Sequence, residues 1–119
     1  LREQKPTVSG PNLEPAVVEL LKETLWRATE EGTGKNARVK GIPVAGKTGT
    51  AQKILEGRKG YSHSDFVSSF IGFAPADYPL FSMVVMVDDP SGAYYGGTVA
   101  APVFSEVMEA ALAHVGYAR

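Results

Sequence analysis

Cysteine is absent from the 119 residues, which excludes disulfides, thiolate-bound metals and a cysteine nucleophile. That absence leaves the compartment open. No apolar run approaches the roughly 18–20 residues that a membrane-crossing helix needs. Neither sign of charge is in excess. With 12 Lys and Arg against 13 Asp and Glu, the net charge is −1, and no global field attracts nucleic acid or an anionic membrane. Histidine is limited to His63 and His114, and neither has sequence neighbours that suggest a triad or a metal site. There is no initial Met, no signal-like segment and no internal repeat, so the chain reads as a piece of something longer. What is present is an ordinary globular composition, 44% hydrophobic and 21% charged, sufficient for one domain or part of one.

Residues 1–12 are polar and carry Pro6, Gly10 and Pro11, which predicts a linker or extended lead-in. Residues 13–119 form the folded part. Val17, Leu20, Leu21, Leu25 and Ala28 recur at spacings of three and four, which predicts a helix over 13–31 with Asn12 as N-cap. Residues 32–42 read as a loop or ragged strand. From Pro43 to Ile54 β-branched residues mix with glycine and no helical period appears, so this is an extended strand. A polar loop is expected over 55–64, followed by two strands, 65–74 and 80–88. Their short connection favours an antiparallel pair. Both faces of that pair are apolar, which asks for helices on each. Residues 89–98 read as a Gly-rich loop, and a final helix spans 99–115, burying Val103, Phe104, Val107 and Leu112. The fold class is α+β, an antiparallel sheet of three strands with flanking helices.

The densest chemical signal is Gly46-Lys47-Thr48-Gly49-Thr50, with one cation, two hydroxyls and two residues lacking Cβ. On a strand, Thr48 and Thr50 face one way and Lys47 the other. Gly49 leaves room for a ligand against the backbone, and an edge strand could hold a carboxylate and a peptide together. The bland alternative is a Gly-rich strand end with a solvated lysine. Gly41–Thr48 also satisfies the phosphate-binding P-loop pattern, and Ser82–Asp89 resembles the apolar strand ending in Asp that would hold Mg²⁺. The context opposes that reading. The stretch before Gly41 is polar where a buried strand is required, and Gly49, Gly57 and Gly60 fall where a helix should run. Asp88 and Asp89 are metal-ligand candidates, but they fit a strand end before Pro90 better. Tyr94-Tyr95-Gly96-Gly97 puts two aromatics beside two flexible residues, which suits either a binding wall or an anchor for the loop.

Taken together, Glu31–Gly34, Val44–Lys53, Phe70–Pro75, Tyr94–Gly97 and Ala101–Phe104 resemble, in order and spacing, the C-terminal part of the transpeptidase domain of class B penicillin-binding proteins. The likeness runs from about residue 12 to 115. It implies the penicillin-binding or serine β-lactamase-like transpeptidase fold. It also implies serine acyl transfer on the D-Ala-D-Ala ends of peptidoglycan stem peptides, with β-lactams as alternative acylating partners and no cofactor or metal. By the resemblance, Lys47 supplies positive charge near the substrate carboxylate and the catalytic serine, and Thr48 and Thr50 hydroxyls bind that carboxylate. The Thr50 N–H is an oxyanion donor, Gly49 permits close approach, and Tyr94 or Tyr95 forms a cleft wall. It further implies a membrane-anchored protein of the bacterial cytoplasmic membrane, its catalytic domain on the outer side among other cell-wall synthesis proteins. A β-lactam-sensing receptor of the same fold is the alternative, and a P-loop NTPase a lesser one.

The family's nucleophile motif is Ser-x-x-Lys. No serine of this chain begins that pattern, nor Ser-x-Asn. The expectation is therefore half an active site, completed by a nucleophile-bearing part of the same protein. Incubated alone with a labelled penicillin, this chain should keep its mass. A covalent adduct on any of its serines, seen by intact-mass measurement, would overturn that division of the site.

Overall fold

The computed structural model describes residues 3, 5–57 and 59–117. Residues 1, 2 and 4 of the expected lead-in, Arg58 within the expected 55–64 loop, and the last two residues lie outside the described residues. Helix α1 spans Pro15–Glu30, and a 3₁₀ turn follows at Lys35–Ala37. Strands β1 (Ala45–Ile54), β2 (Tyr61–Ala74) and β3 (Phe81–Asp88) come next, then a short helix α2 (Gly96–Val99) and helix α3 (Ala101–His114).

Proline decides where α1 begins. Pro15 sits in the first turn, where its missing N–H leaves no bond unmade, and it holds Glu14 extended at φ −62°, ψ 141°. The start therefore lies at Glu14 and not at Asn12, and no side chain caps it. Helix α3 ends by a different device. Gly116, at φ 76°, turns the chain so that its N–H meets the Ala113 carbonyl and the Tyr117 N–H meets that of Leu112.

The sheet is antiparallel, in the order β1-β2-β3. Strand β2 begins earlier than the polar sequence at 61–64 suggests, because Tyr61 still pairs with Ile54. Ladder bonds use only backbone groups, and Ser62 adds local ones. Its hydroxyl accepts from the Asp65 N–H at 3.0 Å and donates to the Asp65 carboxylate at 2.8 Å. Hydrogen bonds from Ser62 and Ser64 hold the Asp65 carboxyl below the usual carboxylate range.

Residues directly opposite one another share a face. Thr48, Phe70 and Val85 therefore lie on one side, and Lys47, Ile71 and Val84 on the other. The first face carries the core. Phe70, Phe104, Met108 and Leu112 are fully buried with Val44 and Ala37, and the Phe70 and Phe104 rings meet edge to face at 4.7 Å. The second face is covered only at one end. There α1, with Leu13 before it, forms an apolar groove of about 390 Å³ with Phe73, Pro79 and Ser82. Ile71 (59%), Val84 (54%) and Met86 (66%) stay exposed beyond it, so helices do not cover both faces within this chain.

Two expectations about the last third need correction. The Gly-rich loop ends in a helical turn, α2, and Ala100 separates it from α3. Val103 (44%) and Val107 (48%) are exposed, while Ala101, Phe104, Met108 and Leu112 are buried. The helix has its expected 3.6 period, but it is apolar on two adjacent stripes, and periodicity alone does not say which one meets the sheet. The substitution that breaks the fold is therefore at the buried stripe. Phe104→Ala should cost about 3–5 kcal/mol in denaturant unfolding. Val107→Asp should cost less than about 1 kcal/mol. The reverse order would contradict the placement of α3.

Candidate functional site

The edge strand β1 carries Lys47, Thr48, Gly49 and Thr50. Thr48 and Thr50 stand opposite Phe70 and Ser68, and their side chains share that face. Lys47 stands opposite Ile71 and starts on the other one. Its long stem carries the ammonium back around the strand edge, where Nζ donates to the Thr48 carbonyl at 3.0 Å and to Thr48 Oγ1 at 3.3 Å. Alternation alone separates the cation from the hydroxyls. The flexible side chain reunites them.

Two further segments close on this face. The turn after α1 brings Thr33 Oγ1 to 2.9 Å from Thr48 Oγ1. The chain entering α2 brings the Gly96 N–H to Thr50 Oγ1, at 3.2 Å. The Asn36 side-chain amide ties these two segments together by donating to the Gly97 carbonyl at 2.8 Å. Thr33, Asn36, Thr48, Thr50, Tyr95 and Gly96–Thr98 line a recess of about 270 Å³. Hydroxyls and amides line it, the Lys47 ammonium stands beside Thr48, and among the described residues no carboxylate is in the lining, so the recess suits an anion.

The two tyrosines part company. Tyr94 stacks on Phe66 with ring centroids 4.2 Å apart and planes 11° from parallel, and its carbonyl accepts from the buried Ser68 hydroxyl. Tyr95 lines the recess and is 61% exposed. Tyr94 is thus the anchor and Tyr95 the side chain at the opening. Their hydroxyls are 3.4 Å apart, and that hydrogen bond, with the charge interaction between them, raises the Tyr94 phenol above its ordinary value. Gly96 has no alternative in this loop, because a Cβ there would overlap the carbonyl oxygens of Ser69 and Gly49.

Thr48, Thr50 and Tyr95 meet here with Asn36 and Thr98, which no sequence motif marks. Thr33 belongs to the Glu31–Gly34 segment of the resemblance. Nothing in a Gly-Thr-Gly turn by itself says that it will fold onto a strand fifteen residues away, as Thr33 does on Thr48. The P-loop alternative is excluded, since Lys47 and Thr48 lie within a strand where a P-loop needs the start of a helix. Asp88 ends β3 and pairs with Lys53 at 2.6 Å. That bond raises the lysine's pKa.

The family model described as penicillin binding protein transpeptidase domain matches residues 2–109. The chain belongs to this family. It is 40% identical over 117 residues to stage V sporulation protein D of Bacillus subtilis (strain 168), covering 98% of this chain and 18% of that protein. It is 45% identical over 98 residues to the probable peptidoglycan D,D-transpeptidase PenA of Neisseria flavescens, covering 81% of this chain and 24% of that one. Among solved structures, the transpeptidase domain of Burkholderia pseudomallei penicillin-binding protein 3 superposes with a TM-score of 0.78 at 37% identity, covering 90% of this chain and 33% of the other. Penicillin-binding protein 3 of Mycobacterium tuberculosis, solved with ampicillin, gives 0.73 at 31% identity, covering 82% and 24%. The chain therefore spans about a fifth of the length of the curated relatives, 18% and 24% of these two. The α+β fold, with its three-stranded antiparallel sheet and flanking helices, is that of the penicillin-binding transpeptidase domain.

The close approach of the loop to the strand can be tested on stability. Gly96→Ala should lower the melting temperature by the equivalent of roughly 1–3 kcal/mol, as overpacking does. An unchanged melting temperature would mean that Gly96 does not sit against the Gly49 and Ser69 carbonyls.

Proposed function

We propose that this chain supplies the substrate-binding strand and one oxyanion donor of a serine-type peptidoglycan D,D-transpeptidase. The observation that carries the reading is the gathering of the Lys47 ammonium and the Thr33, Thr48 and Thr50 hydroxyls around one small recess at an edge strand. In this reading the C-terminal carboxylate of a D-Ala-D-Ala stem peptide, or the carboxylate of a β-lactam, enters the recess and takes hydrogen bonds from Thr48 and Thr50. The peptide lies along the free edge of β1, passing Gly49. Its scissile carbonyl then meets the Thr50 N–H, which stabilises the charge that develops on oxygen when a serine attacks. Lys47 adds a positive field beside both the carboxylate and the serine. The nucleophile, its general base and the second oxyanion donor come from the remainder of the protein, outside this sequence. Tyr95 forms the mobile wall of the cleft and Tyr94 holds the loop down.

The relatives named as D,D-transpeptidases favour synthesis over the receptor alternative. Their likeness supports a protein held at the cytoplasmic membrane that works on the outer side with other cell-wall enzymes. Among the described residues no helix is long and apolar enough to cross a membrane, so an anchor would lie elsewhere in the protein.

Lys47→Ala in the full-length protein should slow β-lactam acylation at least about tenfold, because a hydrogen bond to a charged group is worth roughly 1.5–3 kcal/mol and ~1.4 kcal/mol is a decade. Thr50→Pro should do more harm, since it deletes a donor worth about 2.7–4 kcal/mol. Lys47 is exposed, so its variant should melt like the parent. Stopped-flow acylation with thermal melts decides the matter, and an unchanged rate for Lys47→Ala would remove this motif from the active site.

A further inference from the structure

We infer that Thr33 is a positioning residue for the carboxylate-binding hydroxyl of Thr48, an inference that rests on the site reading above. A threonine hydroxyl has one proton to give and two lone pairs to receive with. Lysine only donates, so the Lys47 ammonium, 3.3 Å from Thr48 Oγ1, occupies one of those lone pairs. Thr33 Oγ1, at 2.9 Å, can either take the Thr48 proton or occupy the second lone pair. When an anion enters the recess the choice is forced. A carboxylate accepts only, so it takes the Thr48 proton. Thr33 then turns to donate to Thr48, and the chain Thr33 to Thr48 to carboxylate runs in one direction. With both lone pairs filled, the Thr48 proton has no competing direction, and hydrogen bonds aligned this way strengthen one another.

The support for Thr33 is built to keep it there. The turn that carries it is closed by the Gly34 N–H on the Ala28 carbonyl at 3.1 Å and the Ala37 N–H on the Gly34 carbonyl at 2.9 Å. Asn36 fastens the same turn to the opposite wall through the Gly97 carbonyl. Thr33 reaches the recess without any place on β1, and it is exposed and lies outside the apolar core cluster.

The test is acylation of the full-length protein by benzylpenicillin and by its methyl ester, which lacks the charge. Thr33→Val should reduce the rate with benzylpenicillin roughly threefold to tenfold, leave the rate with the ester within about twofold, and leave the melting temperature unchanged. Thr33→Ser should restore the parent ratio of the two rates. Thr48→Val is the companion variant and should lower the same ratio. If Thr48→Val lowers the ratio and Thr33→Val does not, the positioning role is wrong and the site reading stands. A loss at Thr33→Val that is equal for both compounds, or that serine fails to restore, shows a structural role and overturns the inference. If Thr48→Val leaves the ratio unchanged, the site reading itself is wrong and the inference falls with it.

Discussion

The pairing of β1 with β2 is the constraint on which the rest of this structure depends. Thr48 faces the recess because it stands opposite Phe70, and Thr50 because it stands opposite Ser68. A slip of one residue would turn both hydroxyls to the other face and place Lys47 and Gly49 over the core. Phe70 pins the register. It is fully buried against Phe104, and a glycine at 46 makes room for its ring next to β1. The chemistry of the strand is therefore held by packing on the same face, one residue pair away.

The site is assembled from three separate parts of the chain, and short polar contacts fasten them. The α1–β1 turn reaches Thr48 through Thr33, the β3–α2 loop reaches Thr50 through the Gly96 N–H, and Asn36 joins turn to loop. The loop is fixed at its root, where Tyr94 stacks on Phe66 and is bonded to Ser68, and open at Tyr95. Such a division suits a wall that must keep its position yet admit a ligand. One aromatic supplies the rigidity, and its neighbour meets the solvent.

The two faces of the sheet are unequal. One is sealed by α3 and the Phe70–Phe104 core, and the other leaves Ile71, Val84 and Met86 exposed past the end of α1. Together they form an apolar surface on the chain as described, at the other side of the sheet from the Thr48 and Thr50 side chains. The chain covers 33% of the Burkholderia transpeptidase domain it superposes on, so most of that domain's packing partners have no counterpart in this sequence.

Residue types alone give the two long helices, the three strands and the resemblance to the family, but not α2 or the 3₁₀ turn. Two helices with apolar spacings of three and four, three extended segments, and the Lys47–Thr50 run with its alternating faces can all be read from residue types, because helix and strand periods are local properties. The sequence places α1 within two residues at its start, missing only that Pro15 and not Asn12 sets the boundary. Which stripe of α3 is buried depends on packing, because Val103 and Val107 are as apolar as Phe104 and Met108, and contact with the sheet alone tells them apart. The tertiary structure also decides that Tyr94 anchors while Tyr95 lines the recess, that polar residues 61–64 extend β2, and that Thr33 and Asn36 belong to the site. Each of these depends on a contact between residues far apart in the chain. A pattern of residue types carries the direction of a side chain within its own element, but not the neighbour that side chain meets.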